Sequence, residues 1–514
     1  MALPAVVLSL GLGGALLAGI FLTEERGISL TGRGGTARTG RSHRDQARGA
    51  RWARRRDLRP LRVAPEGAPP GRLLLGVLPG MARLTGLAAE TAQSLVVVGP
   101  TQSGKTTSLA VPAILGWRGP VLAASVKSDL LRHTLGTRAR LGQVWCIDPT
   151  GSTGARASTW SPLTGCGEWR EACRASAELC EAAKGDGTTA DGEFWYATAG
   201  KLLAPLFEAA ALDGRTMADV VRWVDTQEVG EVAAILERAA PPEVLHAAEA
   251  TWCRDERTRS SIYTTAETVL APFAHPPPGP PADTTFEPAA LLRGAHTVYL
   301  CAPAHDQRRL RGYFTGLTQA VLAHAFSTAT RSGRPLDPPL LVVLDEAAHI
   351  APLPELDGLA ATCASHGIQI VTVWQDLAQV RGRYGARAPT VLNNHRAKLF
   401  LPGIADPDTL EYASRLIGDE EVARPSVTRD PTGRRSTTSS TAPRRLLPPE
   451  ALRCLPRGRA VLVYGSLPPA RLQLRPWWAQ AQAQAQGRGR GRLRRRRGGG
   501  GGACDGRRRR VADG

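Results

Sequence analysis

Residues 99–107 have the types and spacing of a phosphate-binding loop. The segment starts at Gly99, and Gly104, Lys105 and Thr106 complete the pattern G-x-x-x-x-G-K-[ST]. Glycines let the backbone curl so that its N–H groups face a phosphate; the lysine can reach the β- and γ-phosphates, and the hydroxyl can bind Mg²⁺. The residues expected to contact ATP are Gly99, Pro100, Thr101, Gln102, Ser103, Gly104, Lys105, Thr106 and Thr107.

An acidic pair follows an aliphatic run much later in the chain. Asp345 and Glu346 come directly after residues 340–344, which are all Leu or Val. Asp345 is expected to hold Mg²⁺, directly or through water, and Glu346 to polarise the water that attacks the γ-phosphate. Such a pair alone could instead begin a helix, because the helix dipole favours acidic residues there. Behind a buried strand, in a chain with an intact phosphate loop, the pattern favours the catalytic role.

A third polar position follows another predicted strand. Residues 368–374 are mostly β-branched Ile, Val and Thr, and Gln375 comes directly after them. Gln375 is the candidate for a catalytic residue that senses the γ-phosphate. The alternative is a polar residue that simply ends a strand, and the sequence does not decide between the two.

The elements that must position these residues are strands alternating with helices, which indicates an α/β protein with a parallel sheet. The predicted strands are 95–98, 121–125, 144–147, 297–301, 340–344, 368–374, 398–401 and 460–464, and the predicted helices between them include 105–115, 128–140 and 308–328. The chemistry requires this sheet to bring Lys105 and Asp345 close enough to share one Mg–nucleotide.

Strand patterns stop between about residues 165 and 270, where Ala-rich helical patterns take over. This stretch is interpreted as an all-α domain inserted into the α/β domain, and the polar segment 424–445 as a loop. The predicted division is a transmembrane anchor (1–25), a basic flexible linker (26–69), the first part of the α/β domain (70–164), the insertion (165–275), the second part of the α/β domain (276–478) and a disordered Arg/Gly-rich tail (479–514).

Composition limits the function classes. Residues 26–62 carry a net charge of +10 and residues 479–514 carry +9, which together account for the whole formal charge of +19. The high isoelectric point is therefore no evidence that the folded core binds nucleic acid. The nine cysteines form no C-x-x-C pair and their number is odd, which disfavours a disulfide framework or a zinc site.

Residues 2–22 are uncharged and rich in Leu, Val and Ala, about the length that crosses a bilayer. A cleaved signal peptide is the alternative, but no basic residue precedes the run and no small-residue cleavage site ends it. Arginines follow the run, so the positive-inside rule places the rest of the chain in the cytoplasm. The predicted location is the plasma membrane, with a single pass.

The order and spacing of these motifs resemble the VirD4/TraG-like coupling proteins of type IV secretion and conjugation, specifically the actinobacterial TraD-like branch. The resemblance extends from Arg51 to Trp478. It is carried by residues 99–107, 125–134, 147–149, 160–163, 194–195, 260–264, 344–346, 366–370, 375–379, 384–385, 393–394 and 403–406.

The resemblance implies a RecA-like P-loop ATPase core with the inserted all-α domain. It also implies a membrane-tethered homohexamer that uses ATP and Mg²⁺, handles DNA or a relaxase–DNA complex in its pore, and meets type IV secretion channel proteins. This chain departs from many relatives by showing one membrane segment rather than two. It also lacks an arginine in residues 362–366, which leaves Arg381 and Arg383 as the candidates for an arginine acting across a subunit boundary.

Three functions compete. The favoured one is a motor in which ATP hydrolysis drives translocation of cargo. The second is a nucleotide-switched docking protein that recruits secreted substrates without pumping them. The third, a septum-type pump for double-stranded DNA, is disfavoured because the chain ends in low-complexity Arg/Gly sequence rather than a small DNA-reading module.

Overall fold

The computed structural model describes residues 49–64, 67–79, 85–185, 189–274, 285–429, 433 and 435–479. The predicted membrane anchor, the first part of the predicted linker and nearly all of the predicted tail lie outside these ranges. In the part that is described, no helix combines the length and apolarity needed to cross a membrane.

The described strands form one twelve-stranded sheet and one separate hairpin, which consists of β11 and β12. The strands are β1 (Arg62–Val63), β2 (Leu74–Val77), β3 (Gly86–Ala88), β4 (Leu95–Val98), β5 (Val121–Ser125), β6 (Val144–Ile147), β7 (Thr297–Cys301), β8 (Leu340–Asp345), β9 (Ile368–Trp374), β10 (Ala397–Phe400), β11 (Asp419–Arg429), β12 (Arg435–Arg445), β13 (Arg459–Tyr464) and β14 (Leu467–Gln473). The order across the sheet is β1-β3-β2-β14-β13-β10-β4-β9-β8-β5-β7-β6. The strands from β10 to β6 are parallel, and the others extend the sheet in antiparallel pairs.

Helices cover both faces of the sheet. They are α1 (Val111–Gly116), α2 (Asp129–Arg138), α3 (Trp169–Ala183), α4 (Ala190–Leu212), α5 (Met217–Asp225), α6 (Gly230–Ala239), α7 (Pro242–Trp252), α8 (Glu256–Ala274), α9 (Pro288–Leu291), α10 (Gln307–Ser332), α11 (Leu356–Thr362), α12 (Leu377–Tyr384), α13 (Ala388–Asn394), α14 (Pro407–Ile417) and α15 (Pro449–Arg453). This arrangement confirms the predicted α/β class with a parallel sheet.

Strand β4 shows why these sequences form the centre of the sheet. All four of its residues are buried, as continuous aliphatic runs are in parallel sheets covered on both sides. Val96 and Val98 join the core beneath α3–α8, whereas Leu95 and Val97 join the core beneath α1 and α2. Successive side chains point to opposite faces, so β4 packs against the helices on both sides of the sheet. This packing fixes the position of Gly99, which follows the strand.

Helices α3–α8 follow β6, where the sequence predicted an insertion, and the short helix α9 comes after them before β7. Phe207 of α4 and Trp223 of α5 are fully buried in the same core as Val98. The helices therefore pack continuously with one face of the sheet. The assignment of residues 165–275 as a domain of their own stays a prediction.

Folded structure begins inside the predicted linker of residues 26–69, so that boundary is corrected. Leu58 and Leu61 are buried, and β1 pairs with β3. Arg51 forms an ion pair with Asp57 at 2.6 Å. The arginines dominated the composition of this stretch, but its few leucines supply enough apolar surface to hold it against the core.

The segment 424–445 is not a loop but most of the hairpin of β11 and β12. The two strands pair in continuous antiparallel register from Asp419 opposite Arg445 to Arg429 opposite Arg435. The polar composition concealed a run of Ser, Thr and Val residues, of which Thr and Val favour extended backbone. Pairing between the two strands satisfies backbone groups of the hairpin.

Candidate nucleotide-binding site

Three strands bring the candidate residues to one edge of the sheet. Strand β9 lies between β4 and β8 and runs parallel to both, with Val98 opposite Trp374 and Leu344 opposite Thr372. All three strands end at the same edge. The loop that starts at Gly99, the acidic pair and Gln375 therefore emerge together.

The phosphate-binding loop needs its glycines for space and for conformation. A Cβ atom at Gly99 would lie 2.8 Å from Leu401 Cβ and 2.9 Å from Ser103 Oγ, so no larger residue fits there. Gly104 has φ +93° and Gln102 has φ 62°, both in the left-handed region. The loop leads into a π-helical turn, Thr106–Ala110, and then into α1. Curled backbone before a helix N-terminus is a phosphate-binding geometry.

Lys105 is buried at the base of this loop, with 6% of its surface exposed. Its Nζ donates hydrogen bonds to Gly99 O at 2.6 Å and Pro100 O at 3.1 Å. Burial lowers the pKa of Lys105, and the nearby carboxylates of Glu346 and Asp345 oppose that shift. The ammonium group is thus fixed between the loop backbone and the acidic strand end, where a phosphate chain would lie.

Thr106 and Asp345 are in direct contact although 239 positions separate them in the sequence. Thr106 Oγ1 donates a hydrogen bond to Asp345 Oδ2 at 2.8 Å. Burial raises the pKa of Asp345 to about 6, while the Thr106 hydrogen bond opposes that shift. A buried carboxylate whose ionised form is destabilised would gain from a cation beside it.

The oxygen donors at this point fit Mg²⁺. The hydroxyl of Thr106 and the carboxylate of Asp345 converge beside the phosphate-binding loop. Within the described residues, no three His, Cys, Asp or Glu side chains cluster as a metal site. Mg²⁺ is commonly held by one or two protein ligands together with substrate phosphates, which is the site these residues can form.

Glu346 and Gln375 form the next contact along the sheet edge. Gln375 Nε2 donates to Glu346 Oε2 at 2.9 Å. Glu346 has φ 68°, an uncommon backbone conformation for a residue other than glycine. The turn at the end of β8 thus aims the glutamate side chain across the end of β9. The sequence predicted roles for both residues, and the structure brings them together; the roles themselves stay predictions.

Gln379 is a residue of this site to which the sequence gave no role. Its side-chain Oε1 accepts a hydrogen bond from Gln375 N at 2.9 Å, and its own N–H donates to Asp376 Oδ1 at 2.9 Å. Asp376 is the N-cap of α12. The available signal was an Asp at a helix N-cap with a Gln three residues later, which is a capping pattern.

Arg381 and Arg383, the two arginines considered for action across a subunit boundary, are both held within their own chain. Arg381 pairs with Asp408, and an Arg383 N–H donates to Pro352 O at 3.4 Å. Their action across a subunit boundary stays a prediction.

Comparison with known families and relatives gives a consistent result. The family model described as Type IV secretory system Conjugative DNA transfer matches residues 79–490. The chain is 24% identical over 337 residues to the conjugal transfer protein TraG of Agrobacterium fabrum, covering 62% of this chain and 50% of that protein. It is 25% identical over 435 residues to a TraG protein of Escherichia coli, covering 74% and 65%. The chain thus spans half to two thirds of these relatives' length.

Solved structures of the coupling protein TrwB have the same fold. An unbound form aligns with a TM-score of 0.58 at 20% identity, covering 74% of this chain and 84% of that one. A TrwB complex with ADP and Mg²⁺ aligns with a TM-score of 0.58 at 19% identity, covering 80% and 95%. The expected resemblance to coupling proteins is confirmed, while the assignment to an actinobacterial branch stays a prediction.

Proposed function

The chain belongs to the type IV secretory system family for conjugative DNA transfer, and from this premise we propose that it is a coupling ATPase. It uses ATP hydrolysis to recruit DNA, or a relaxase–DNA complex, and move it into a type IV secretion channel. The observation that carries the proposal is the hydrogen bond between Thr106 and Asp345 at 2.8 Å, because it joins the two separated halves of one nucleotide site.

The site supports hydrolysis of the terminal phosphate. The loop backbone and Lys105 bind the phosphates of ATP, and Thr106 and Asp345 would hold Mg²⁺, which neutralises phosphate charge. A water oxygen bonds to the γ-phosphorus, and the bond from that phosphorus to the bridging oxygen breaks with its electrons on ADP. Glu346 accepts the proton of the water, and Gln375 holds the Glu346 carboxylate in position.

The binding of ADP and Mg²⁺ by TrwB supports ATP and Mg²⁺ as the ligands here. Another TrwB structure contains an ATP analogue. At 19% and 20% identity, these structures show a shared fold alone. The residue assignments therefore rest on the geometry of this chain.

The assembly and location belong to the same proposal. We infer a homohexamer with a central pore for the cargo, tethered to the plasma membrane by residues 2–22, with the bulk of the chain in the cytoplasm and in contact with channel proteins. The uncharged run followed by arginines supports the tether and its orientation. The family resemblance supports the hexamer and the channel contact.

Replacing Lys105 with alanine tests the proposed function. Removal of the buried ammonium group at the loop is expected to lower ATP hydrolysis by the purified full-length protein at least about 100-fold. Steady-state phosphate release measures it. Lys201→Ala is the matched control, because Lys201 is an exposed lysine of α4. Hydrolysis by Lys105→Ala at the wild-type rate contradicts the motor.

The docking alternative predicts a different outcome from the same variants. If the chain only recruits cargo, wild-type protein should not hydrolyse ATP, with or without DNA, and capture of a relaxase should be the same for wild type and Lys105→Ala. If it is a motor, Lys105→Ala should still capture the relaxase but fail to support DNA transfer in a mating assay.

A further inference from the structure

Lys127 follows strand β5 at the edge of the sheet that carries the nucleotide site. Strand β5 pairs with β8 in parallel, and Ser125 is the register partner of Asp345. Lys127 is two residues beyond that pair, in the turn that leads to α2, and its N–H donates to Ser125 Oγ at 3.3 Å. Its backbone is thus fixed next to the acidic strand end.

Lys127 is exposed, and its ammonium group donates no hydrogen bond and forms no ion pair within the described part of the chain. Neighbouring strands lie about 4.8 Å apart and each residue along a strand adds about 3.3 Å, so the long, flexible lysine side chain can extend from this turn to the acidic strand end. A cation on a flexible stem therefore starts beside the nucleotide site.

Lys127 is one of five lysines among the 65 basic residues of the chain. A lysine differs from an arginine by presenting a compact point charge with three donors on a flexible stem. Such a group suits a γ-phosphate, whose charge is spread over three oxygens.

The site also needs a further positive charge. Phosphoryl transfer spreads negative charge over the oxygens of the moving group, and a cation beyond the loop lysine commonly stabilises it. Within one chain, Arg381 pairs with Asp408 and Arg383 donates to Pro352 O. In the described residues, Lys127 is the exposed cation placed beside the acidic strand end.

We propose that Lys127 is a second lysine of the nucleotide site, whose ammonium group binds the γ-phosphate of ATP and stabilises the charge that develops on it during hydrolysis. This inference rests on the proposed ATP hydrolysis. Lys127 keeps all its protons throughout: the water supplies the proton, Glu346 accepts it, and the bridging oxygen leaves on ADP. Lys127 acts only through its charge and its hydrogen bonds.

The test compares nucleotides with and without a γ-phosphate in the full-length protein. Lys127→Ala is expected to weaken binding of a non-hydrolysable ATP analogue about 10-fold and to lower kcat about 100-fold, while ADP affinity changes less than about twofold. Lys127→Arg should recover part of the loss, because it restores the charge. Equal melting temperatures of the wild type, Lys127→Ala and Lys127→Arg would confirm that each variant folds.

Lys201→Ala serves as the control, because it removes an exposed lysine far along the chain in α4. It should change neither the affinity ratio nor kcat. If Lys127→Ala leaves the ratio of analogue affinity to ADP affinity unchanged, the inference is overturned. That result includes an equal loss of affinity for both nucleotides. The proposed function fails separately, when wild-type protein binds the analogue but hydrolyses no ATP.

Discussion

Replacing Glu346 with glutamine should lower kcat for ATP hydrolysis by about 10²–10⁴-fold while leaving nucleotide affinity within a few-fold of wild type. Glutamine has nearly the same shape as glutamate and can still accept the hydrogen bond that Gln375 Nε2 donates at 2.9 Å. It cannot accept the proton of the attacking water. The loss should therefore appear in kcat, measured by phosphate release at saturating ATP, and not in the dissociation constant.

A matched control for this change is Glu355→Gln, because Glu355 is an exposed glutamate nine positions later, at the start of α11. The control should retain wild-type kinetics. A Glu346→Gln rate within a few-fold of wild type would show that another group accepts the proton. In that case the contact between Glu346 and Gln375 would be structural.

Replacing Asp345 with asparagine should stabilise the protein in the absence of nucleotide and abolish its stabilisation by Mg–nucleotide. The carboxyl group is buried, and burial raises its pKa from the ordinary 3.8 to about 6. Ionisation therefore destabilises the folded chain by about 3 kcal/mol, at about 1.4 kcal/mol for each unit of pKa. Asparagine removes that charge but can still accept the hydrogen bond from Thr106.

The difference in free energy of unfolding between wild type and Asp345→Asn should depend on pH. Below pH 3.8 the carboxyl group is protonated in the folded and unfolded chain alike, so the substitution should change the free energy of unfolding little. The unfolded chain ionises first as the pH rises, so wild-type stability should fall relative to the variant up to about pH 6 and the difference should then be constant.

Urea unfolding at pH 4 and pH 7.5 measures this difference, with and without Mg²⁺ and ADP. Wild-type protein should gain stability from Mg–ADP according to its affinity, and the variant should gain little. A variant that is less stable than wild type at pH 7.5, or that keeps the full Mg-dependent gain, would contradict the assignment of Asp345 as the metal ligand.

The sequence was sufficient for the elements that carry the site. Strand β4 and residues 340–344 of β8 contain only Leu and Val, and β9 consists mainly of Ile, Val and Thr. Such segments are read from local sequence alone. The glycines of the loop and the acidic pair follow them directly. Their types and positions could therefore be assigned before the sheet order was known.

The antiparallel extension of the sheet was largely missed. Strands β1, β2 and β3 are two to four residues long, and β2 contains Gly76, whose φ of +150° no other residue adopts readily. Strand β14 contains two adjacent prolines, which argue against a strand in a local reading. Strand β2 pairs with β3 and β14 pairs with β13, each close by in the sequence, and Gln473 opposite Val77 joins the two pairs. No local pattern reports that last pairing, because its two residues are far apart in the sequence.

Contacts within the site were beyond sequence reasoning for the same reason. The hydrogen bond between Thr106 and Asp345 and that between Glu346 and Gln375 depend on β9 lying between β4 and β8. The sequence required Lys105 and Asp345 to meet but could not supply the strand order. Lys127 acquires its significance only from the pairing of β5 with β8.

A double-mutant cycle between Thr106→Val and Asp345→Asn, read as Mg–nucleotide affinity, tests most directly whether one metal–nucleotide joins these two parts of the chain. Because both side chains would bind the same ion, losing the second should cost far less than losing the first. We expect the two losses to be non-additive by at least about 1 kcal/mol. Losses that add within about 0.5 kcal/mol would contradict a shared Mg–nucleotide site.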